Sequence, residues 1–202
     1  MKTIKLSILA LFLLTLHIAS AQKSTRNQRV GITFSSIGEN DPVYFDDLVG
    51  AASYGSKSFY TIGINYIHPI NNWLDIEAGL EYAKHTVTVY PNLPPDMDRP
   101  PFDKNFSLIN IPITARANFL KYLFANGGLL LDFDADTSSP IANGLGAQLG
   151  IGAQYEFNNG LGIFVNPYTK THALLTFSSE KYPLRMLEWG VRVGLTYSFK
   201  TK

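Results

Sequence analysis

An all-β fold is what this sequence predicts, and within that class an eight-stranded antiparallel transmembrane β-barrel in up-and-down meander order. Three observations carry the prediction. Apolar residues recur at every second position in successive segments, the connections between segments alternate between tight and long, and aromatic residues gather at the segment ends.

Taken in order, the segments fall at about 29–38, 58–70, 73–90, 105–119, 122–134, 144–157, 161–177 and 186–199. The last is the clearest. Leu187, Trp189, Val191, Val193, Leu195, Tyr197 and Phe199 share one face, and Glu188, Gly190, Arg192, Gly194, Thr196 and Ser198 share the other. A helix cannot use that period, whereas a two-faced strand does. In the sixth segment Leu145, Ala147, Leu149, Ile151, Ala153, Tyr155 and Phe157 oppose Gly144, Gly146, Gln148, Gly150, Gly152, Gln154 and Glu156. The third sets Leu74, Ile76, Ala78, Leu80 and Tyr82 against Asp75, Glu77, Gly79 and Glu81. The fourth sets Ile109, Ile111, Ile113, Ala115 and Ala117 against Asn110, Pro112, Thr114, Arg116 and Asn118. The first, second, fifth and seventh alternate less strictly, with Leu130 and Phe164 on the face expected to be polar.

Connections give the order. Asn71-Asn72, Leu120-Lys121 and Asn158-Asn159-Gly160 are tight links, and Asn and Gly accept the positive φ that such turns require. The intervening stretches, about 39–57, 91–104, 135–143 and 178–185, are long. Short turns on one side and longer loops on the other, with an even strand count, is the plan of an outer-membrane barrel. Both chain ends then lie in the periplasm and the four loops outside. A soluble β-sandwich or lipocalin-like barrel would also alternate, but strands in globular proteins are usually about five or six residues long. It would also have no reason to band its aromatics. Here Tyr60, Tyr66, Trp73, Tyr82, Tyr122, Tyr155, Phe157, Trp189, Tyr197 and Phe199 sit at segment ends. Such rings are stable where hydrocarbon meets headgroups, so they are expected to form two girdles.

The first residues read as an export leader. Lys2 and Lys5 precede an apolar stretch from Leu6 to Ala19, and Ala19-Ser20-Ala21 supplies small residues for cleavage after Ala21. That stretch is too short for a membrane-spanning helix, which needs about 20 residues. The expected organisation is a signal peptide at 1–21, a periplasmic segment at 22–28, the barrel at 29–199 and a periplasmic tail at 200–202. The whole chain has 17 basic and 16 acidic residues, so loss of Lys2 and Lys5 leaves 15 against 16. A near-neutral product gives no electrostatic footprint for nucleic acid. Without Cys there is no disulfide or thiol chemistry. No apolar run beyond the leader is long enough for a transmembrane helix.

The face turned inward carries Gly144, Gly146, Gly150, Gly152, Gly190 and Gly194, which let the wall curve and leave room for long neighbours. Those neighbours form an expected interior network of Asp75, Glu77, Glu81, Arg116, Asp132, Glu156, Lys170, Glu188 and Arg192. The lumen of an eight-stranded barrel is just wide enough for side chains to fill. Enclosed charges must pair, because an unpaired one is costly. A packed polar core is therefore expected, with a narrow conducting path as the alternative.

Three blocks carry a family resemblance. Gly190-Val-Arg-Val-Gly-Leu-Thr-Tyr-Ser-Phe199 looks like the closing strand of outer-membrane barrels, whose final aromatic is read by the barrel assembly machinery. Ser107-Leu-Ile-Asn-Ile-Pro-Ile-Thr-Ala-Arg116, followed by Tyr122-Leu-Phe-Ala-Asn-Gly-Gly128, resembles the "outer membrane protein beta-barrel domain" family common in Bacteroidetes. The likeness extends in layout over most of 29–199. It implies a barrel whose relatives mostly lack a defined activity, some of them assisting protein secretion or binding host surfaces. Lys200-Thr201-Lys202 after Phe199 depart from the terminal aromatic.

Candidate sites outside the lumen are few. Loop one holds Glu39, Asp41, Asp46 and Asp47 with Tyr44 and Phe45, but their spacing matches no calcium loop. Loop two, Pro91 to Pro101, carries five Pro and offers a stiff contact surface. A lipid-modifying enzyme would need a nucleophile beside an oriented base. His172 with Ser178, Ser179 and Glu180, or His85 with Thr86, are the available sets, and neither forms a recognisable motif. There is no HExxH pair, GxGxxG turn or P-loop, so no metal, cofactor or catalytic residue is expected. The sequence thus predicts a monomeric, non-enzymatic outer-membrane barrel with a structural or surface-interaction role. A small porin-like pore is the first alternative and an outer-membrane lipid-modifying enzyme the second. Its expected partners are outer-membrane lipid and lipopolysaccharide, the assembly machinery during biogenesis, and an extracellular ligand or protein at the long loops.

Overall fold

The computed structural model describes residues 26–45, 52–93, 97, 99–136, 139–178 and 182–199. The expected leader at 1–21, residues 22–25 and the tail at 200–202 lie outside the described residues, as do Asp46, Asp47, Ser179 and Glu180. Eight strands follow one another: β1 (Gln28–Val43), β2 (Ser53–Pro69), β3 (Leu74–Tyr90), β4 (Phe102–Phe119), β5 (Leu123–Asp134), β6 (Gly144–Glu156), β7 (Leu161–Thr176) and β8 (Arg185–Phe199). Each pairs antiparallel with its sequence neighbours, and β1 pairs with β8 from Gln28↔Phe199 to Val43↔Arg185, closing the barrel.

The tight links form as the sequence requires. Asn71 Oδ1 accepts the backbone N–H groups of Trp73 at 2.9 Å and Leu74 at 2.8 Å, a side-chain-made turn between β2 and β3. Leu120 takes a φ of 55° in the β4–β5 link, and Gly160 takes 87° in the β6–β7 link. On the loop side the strands run further than their hydropathy suggests. β1 continues to Val43 and β2 begins at Ser53, so Glu39 and Asp41 are strand residues and not part of loop one. Glu39 accepts the Trp189 indole N–H at 3.2 Å, and Asp41 accepts the Ser56 backbone N–H at 3.2 Å. β4 likewise begins at Phe102, three residues before its expected start.

The reason is an inversion of polarity along the barrel axis. Through the middle, outward positions are apolar: Ile32, Ile62, Ile64, Leu80, Ile163 and Leu195 are all exposed on the outer wall. Above Tyr60 and Tyr82, whose ring centroids are 6.5 Å apart, the outward residues become polar. Thr86 Oγ1 donates to Asn105 Oδ1 at 2.7 Å, Thr88 Oγ1 donates to Asp103 Oδ1 at 3.1 Å, and Lys57 pairs with Asp103. Inward residues at the same height become apolar. Val87, Phe106, Leu108, Ala173 and Met186 are buried with Ile141 and Leu184 in one cluster. A wall that is apolar outside faces hydrocarbon, and one that is polar outside over an apolar interior faces water. The outer ends of β2, β3 and β4 therefore project from the membrane, over a small core of their own.

Of the ten girdle residues, Trp73 is half-buried and the other nine are exposed. Tyr122 and Tyr155 stack at 5.9 Å and Tyr155 meets Phe157 edge-on at 4.9 Å on the turn side. Tyr60, Tyr82 and Trp189 lie toward the loop side.

Candidate functional site in the barrel lumen

Period-2 geometry turns alternate residues of all eight strands into the lumen, and their charges meet in tiers. Nearest the turns, Arg29 Nη2 lies 2.6 Å from Asp75 Oδ2, and Asn118 Nδ2 donates to the same oxygen at 3.0 Å. Gln154 ties this tier to the next, its Oε1 accepting from Arg29 Nη1 at 3.1 Å and from Arg116 Nη2 at 2.7 Å. In the middle tier Glu77 accepts from Arg116 Nη1 at 3.1 Å and from Asn65 Nδ2 at 3.0 Å. Arg192 Nη2 lies 3.0 Å from Glu77 Oε1, the oxygen that Asn65 also reaches. The guanidinium of Arg116 also lies 3.5 Å over the ring of Phe124. That ring meets Phe164 edge-on, with centroids 6.1 Å apart.

Above these, Lys170 Nζ donates to Glu81 Oε2 at 2.6 Å and lies 3.8 Å from Glu188. Arg192 Nη1 stands 3.6 Å from Glu81, and the Tyr168 hydroxyl donates to Glu188 Oε1 at 2.6 Å. The uppermost tier holds two histidines. His172 Nδ1 is 2.9 Å from Asp132 Oδ1 and its Nε2 is 3.5 Å from Glu188 Oε2. His85 Nε2 is 3.7 Å from that same oxygen, while its Nδ1 faces the Asn40 amide at 3.2 Å. His85 also stacks on Phe106 at 5.3 Å, which joins this tier to the apolar cap above it. The cap is completed by loop residues: Ile141 bridges to Leu184, and the Ala142 N–H reaches the Leu184 carbonyl at 3.4 Å.

Eight of the nine residues expected in the interior network are buried in these tiers. The ninth, Glu156, is exposed at the turn-side rim, where it accepts from Ser198 Oγ at 2.5 Å. Sequence reasoning left Arg29, Tyr168, Asn40 and the two histidines out of the network. Arg29, Tyr168, His85 and His172 lie on the inward phase of their strands, which was the available signal; Asn40 turns inward only through the bulge between Ser35 and Ile37, which shifts the phase of β1. Leu130 and Phe164, which broke the expected polar face, are buried lumen residues.

Pairs such as Lys170–Glu81 and Arg192–Glu77 cross the lumen between strands that are not neighbours in the sheet. The lumen is accordingly bridged by side chains. Among the described members of the histidine sets considered for hydrolysis, His85 points inward while Thr86 bonds outward to Asn105, and His172 is buried while Ser178 is exposed; Ser179 and Glu180 lie outside the described residues. Among the described residues no group of three or more His, Cys, Asp or Glu is arranged to hold a metal ion.

A closed eight-stranded barrel with a lipid-compatible wall and a charged lumen belongs to the outer-membrane class, and the membrane it occupies is the outer one. Solved structures agree in fold. The outer membrane protein OprG from Pseudomonas aeruginosa matches at 12% identity and a TM-score of 0.51, covering 89% of this chain and 99% of OprG. The outer membrane protein AlkL, solved in lipid bilayers, matches at 14% identity and a TM-score of 0.54, covering 90% of this chain and 94% of AlkL. At these identities the likeness is one of fold. No protein-family model matches the chain, so the resemblance to the Bacteroidetes barrel family does not become a family assignment. No curated protein matches it either.

Proposed function

We propose that the protein is a small-solute transport barrel that is held closed at rest. The observation that carries this reading is how the outer mouth is shut. The cap is completed by Ile141 and Leu184, joined by a single isolated bridge from two different loops, and not by the hydrogen-bonded wall. Directly beneath it lies a lumen lined by charged side chains that could hydrate once the cap parts. Apolar constrictions of this kind gate by excluding water.

A second reading is a structural or surface-interaction barrel whose loops stand on a rigid platform. The pairing and burial of the lumen charges favour it, since a filled interior stabilises the wall.

Single-channel recording separates the two. The refolded protein should pass current only in brief openings, and the Ile141→Ser/Leu184→Ser double variant should pass it steadily. Silence from both, with the folded barrel confirmed by heat-modifiable migration, would leave the structural reading.

A further inference from the structure

The charges of the lumen do not balance tier by tier. Asp75, Glu77, Glu81, Asp132 and Glu188 are five buried carboxylates, and Arg29, Arg116, Lys170 and Arg192 are four buried bases. A fifth base, Arg26, stands at the turn-side end with its side chain 24% exposed, 3.4 Å from Asp75. Three carboxylates take these bases at close range: Asp75 with Arg29 and Arg26, Glu77 with Arg116 and Arg192, and Glu81 with Lys170. The shortage falls on the uppermost tier. There Glu188 has Lys170 only at 3.8 Å, and the basic group beside Asp132 is a histidine.

We propose that a proton on His172 supplies the positive charge that the uppermost tier lacks and keeps the cap shut, so that the barrel opens when that proton is lost. This inference rests on the transport reading above.

Geometry selects His172 over His85. An imidazolium donates from both ring nitrogens. His172 has a carboxylate oxygen near each, Asp132 within hydrogen-bond distance of Nδ1 at 2.9 Å and Glu188 at 3.5 Å from Nε2, an ion-pair contact without a hydrogen bond. His85 instead has a carboxylate near one nitrogen alone, Glu188 at 3.7 Å from Nε2, while its Nδ1 faces the Asn40 amide at 3.2 Å. The groups that face His172 are Asp132 from β5, Glu188 from β8 and His85 from β3. Lys170 lies on its own strand, one inward position away. Behind them Glu81 holds Lys170, and Tyr168 donates to Glu188.

This tier and the cap share parts. Ala173, the next residue, belongs to the apolar cluster, and its N–H donates to the second Asp132 oxygen at 3.0 Å. Its φ of 53° is a strained value for a residue with a side chain, so that single bond helps hold the bulge in β7. Met186, also in the cluster, is the cross-strand partner of His172. Removing the proton leaves the Asp132 and Glu188 carboxylates short of a cation directly beneath apolar side chains, a state that entering water relieves. Water enters this end by parting Ile141 from Leu184.

A free histidine titrates at about 6.5. The protonated, low-pH form is closed, and the open fraction rises as pH rises through the titration of His172. Planar-bilayer recording of the refolded protein from about pH 5 to about pH 10 should show the open fraction growing by about tenfold or more. His172→Gln should be open throughout, His172→Lys should stay closed throughout, and His85→Gln should keep the wild-type pH dependence. In wild-type protein labelled with 15N-histidine, the His172 ring should carry protons on both nitrogens at the pH where the barrel is shut. A neutral His172 there overturns the inference without reference to any variant. A pH-independent wild-type open fraction, beside steady current through Ile141→Ser/Leu184→Ser, overturns it while leaving the transport reading intact. No current from either form removes the transport reading itself.

Discussion

Gly194 lies flat against the ring of Phe164: a methyl group built on Gly194 would come within 2.2 Å of a ring carbon. The glycine faces inward from β8, and the ring it accommodates is buried between Arg116 and Arg192, whose guanidinium carbons lie 5.1 and 5.4 Å from its centroid. Gly194→Ala is therefore expected to destabilise the barrel by about 1–3 kcal/mol, the usual cost of overpacking a filled interior. Urea unfolding in lipid vesicles measures it. Gly194→Ala/Phe164→Leu should recover much of the loss, and failure to do so would mean that the clash lies elsewhere.

That contact also shows what the sequence could and could not convey. The strict alternation of β6 and β8 and the Asn-rich turns made the strand order legible, because both are local properties. The inward glycines were legible as small, but not for whom they make room: part of that room goes to phenylalanine rings and not to charges. Phe164 looked like an error of phase because the polar-inside rule was applied to a lumen that is mixed. The long hairpins were missed for a related reason. Beyond Tyr82 the inward residues Val87 and Val89 are apolar and the outward Thr86 and Thr88 are polar, so the sign of the alternation reverses while its period holds. Ion-pair partners such as Lys170 and Glu81, 89 positions apart, depend on closure and shear, which no window of sequence contains.

Glu77 is shared by two guanidinium groups, at 3.1 Å from Arg116 and 3.0 Å from Arg192. Glu77→Gln keeps the shape but leaves Arg116, fully buried, without its carboxylate. A loss of about 3–5 kcal/mol is expected, the range for removing one partner of a buried pair. In a double-mutant cycle, Glu77→Gln and Arg116→Met should be strongly non-additive. Additive costs would show that the pair is not coupled.

Tyr168 carries a smaller share. Its hydroxyl donates to Glu188 at 2.6 Å and stands 2.9 Å from Ser35 Oγ, linking β7, β8 and β1 across the seam where the barrel closes. Tyr168→Phe removes a bond to a charged acceptor, and the expected loss is about 1.5–3 kcal/mol. Ser35→Ala should cost less, because Glu188 keeps its hydroxyl donor in that variant. Equal losses from the two substitutions would place the energy in the Ser35 contact.

The membrane boundary drawn at Tyr60 and Tyr82 makes a prediction about two residues six positions apart on the same strand and the same outward phase. Ile64, 59% exposed, lies between Tyr60 and Tyr66 on the hydrocarbon side of that boundary. Ser58, paired with Thr86, lies beyond it. Neither side chain touches the lumen network, so any difference between them reports the solvent outside. Ile64→Arg should cost about 2–4 kcal/mol in lipid vesicles, and Ser58→Arg about 0–1 kcal/mol, following the depth dependence of a cation on a barrel wall. The comparison is unaffected by whether the lumen conducts, because both substitutions leave it untouched. Equal small costs would mean that the wall at Ile64 faces water, and the inversion of polarity along β2 to β4 would then need a different cause from the edge of a bilayer.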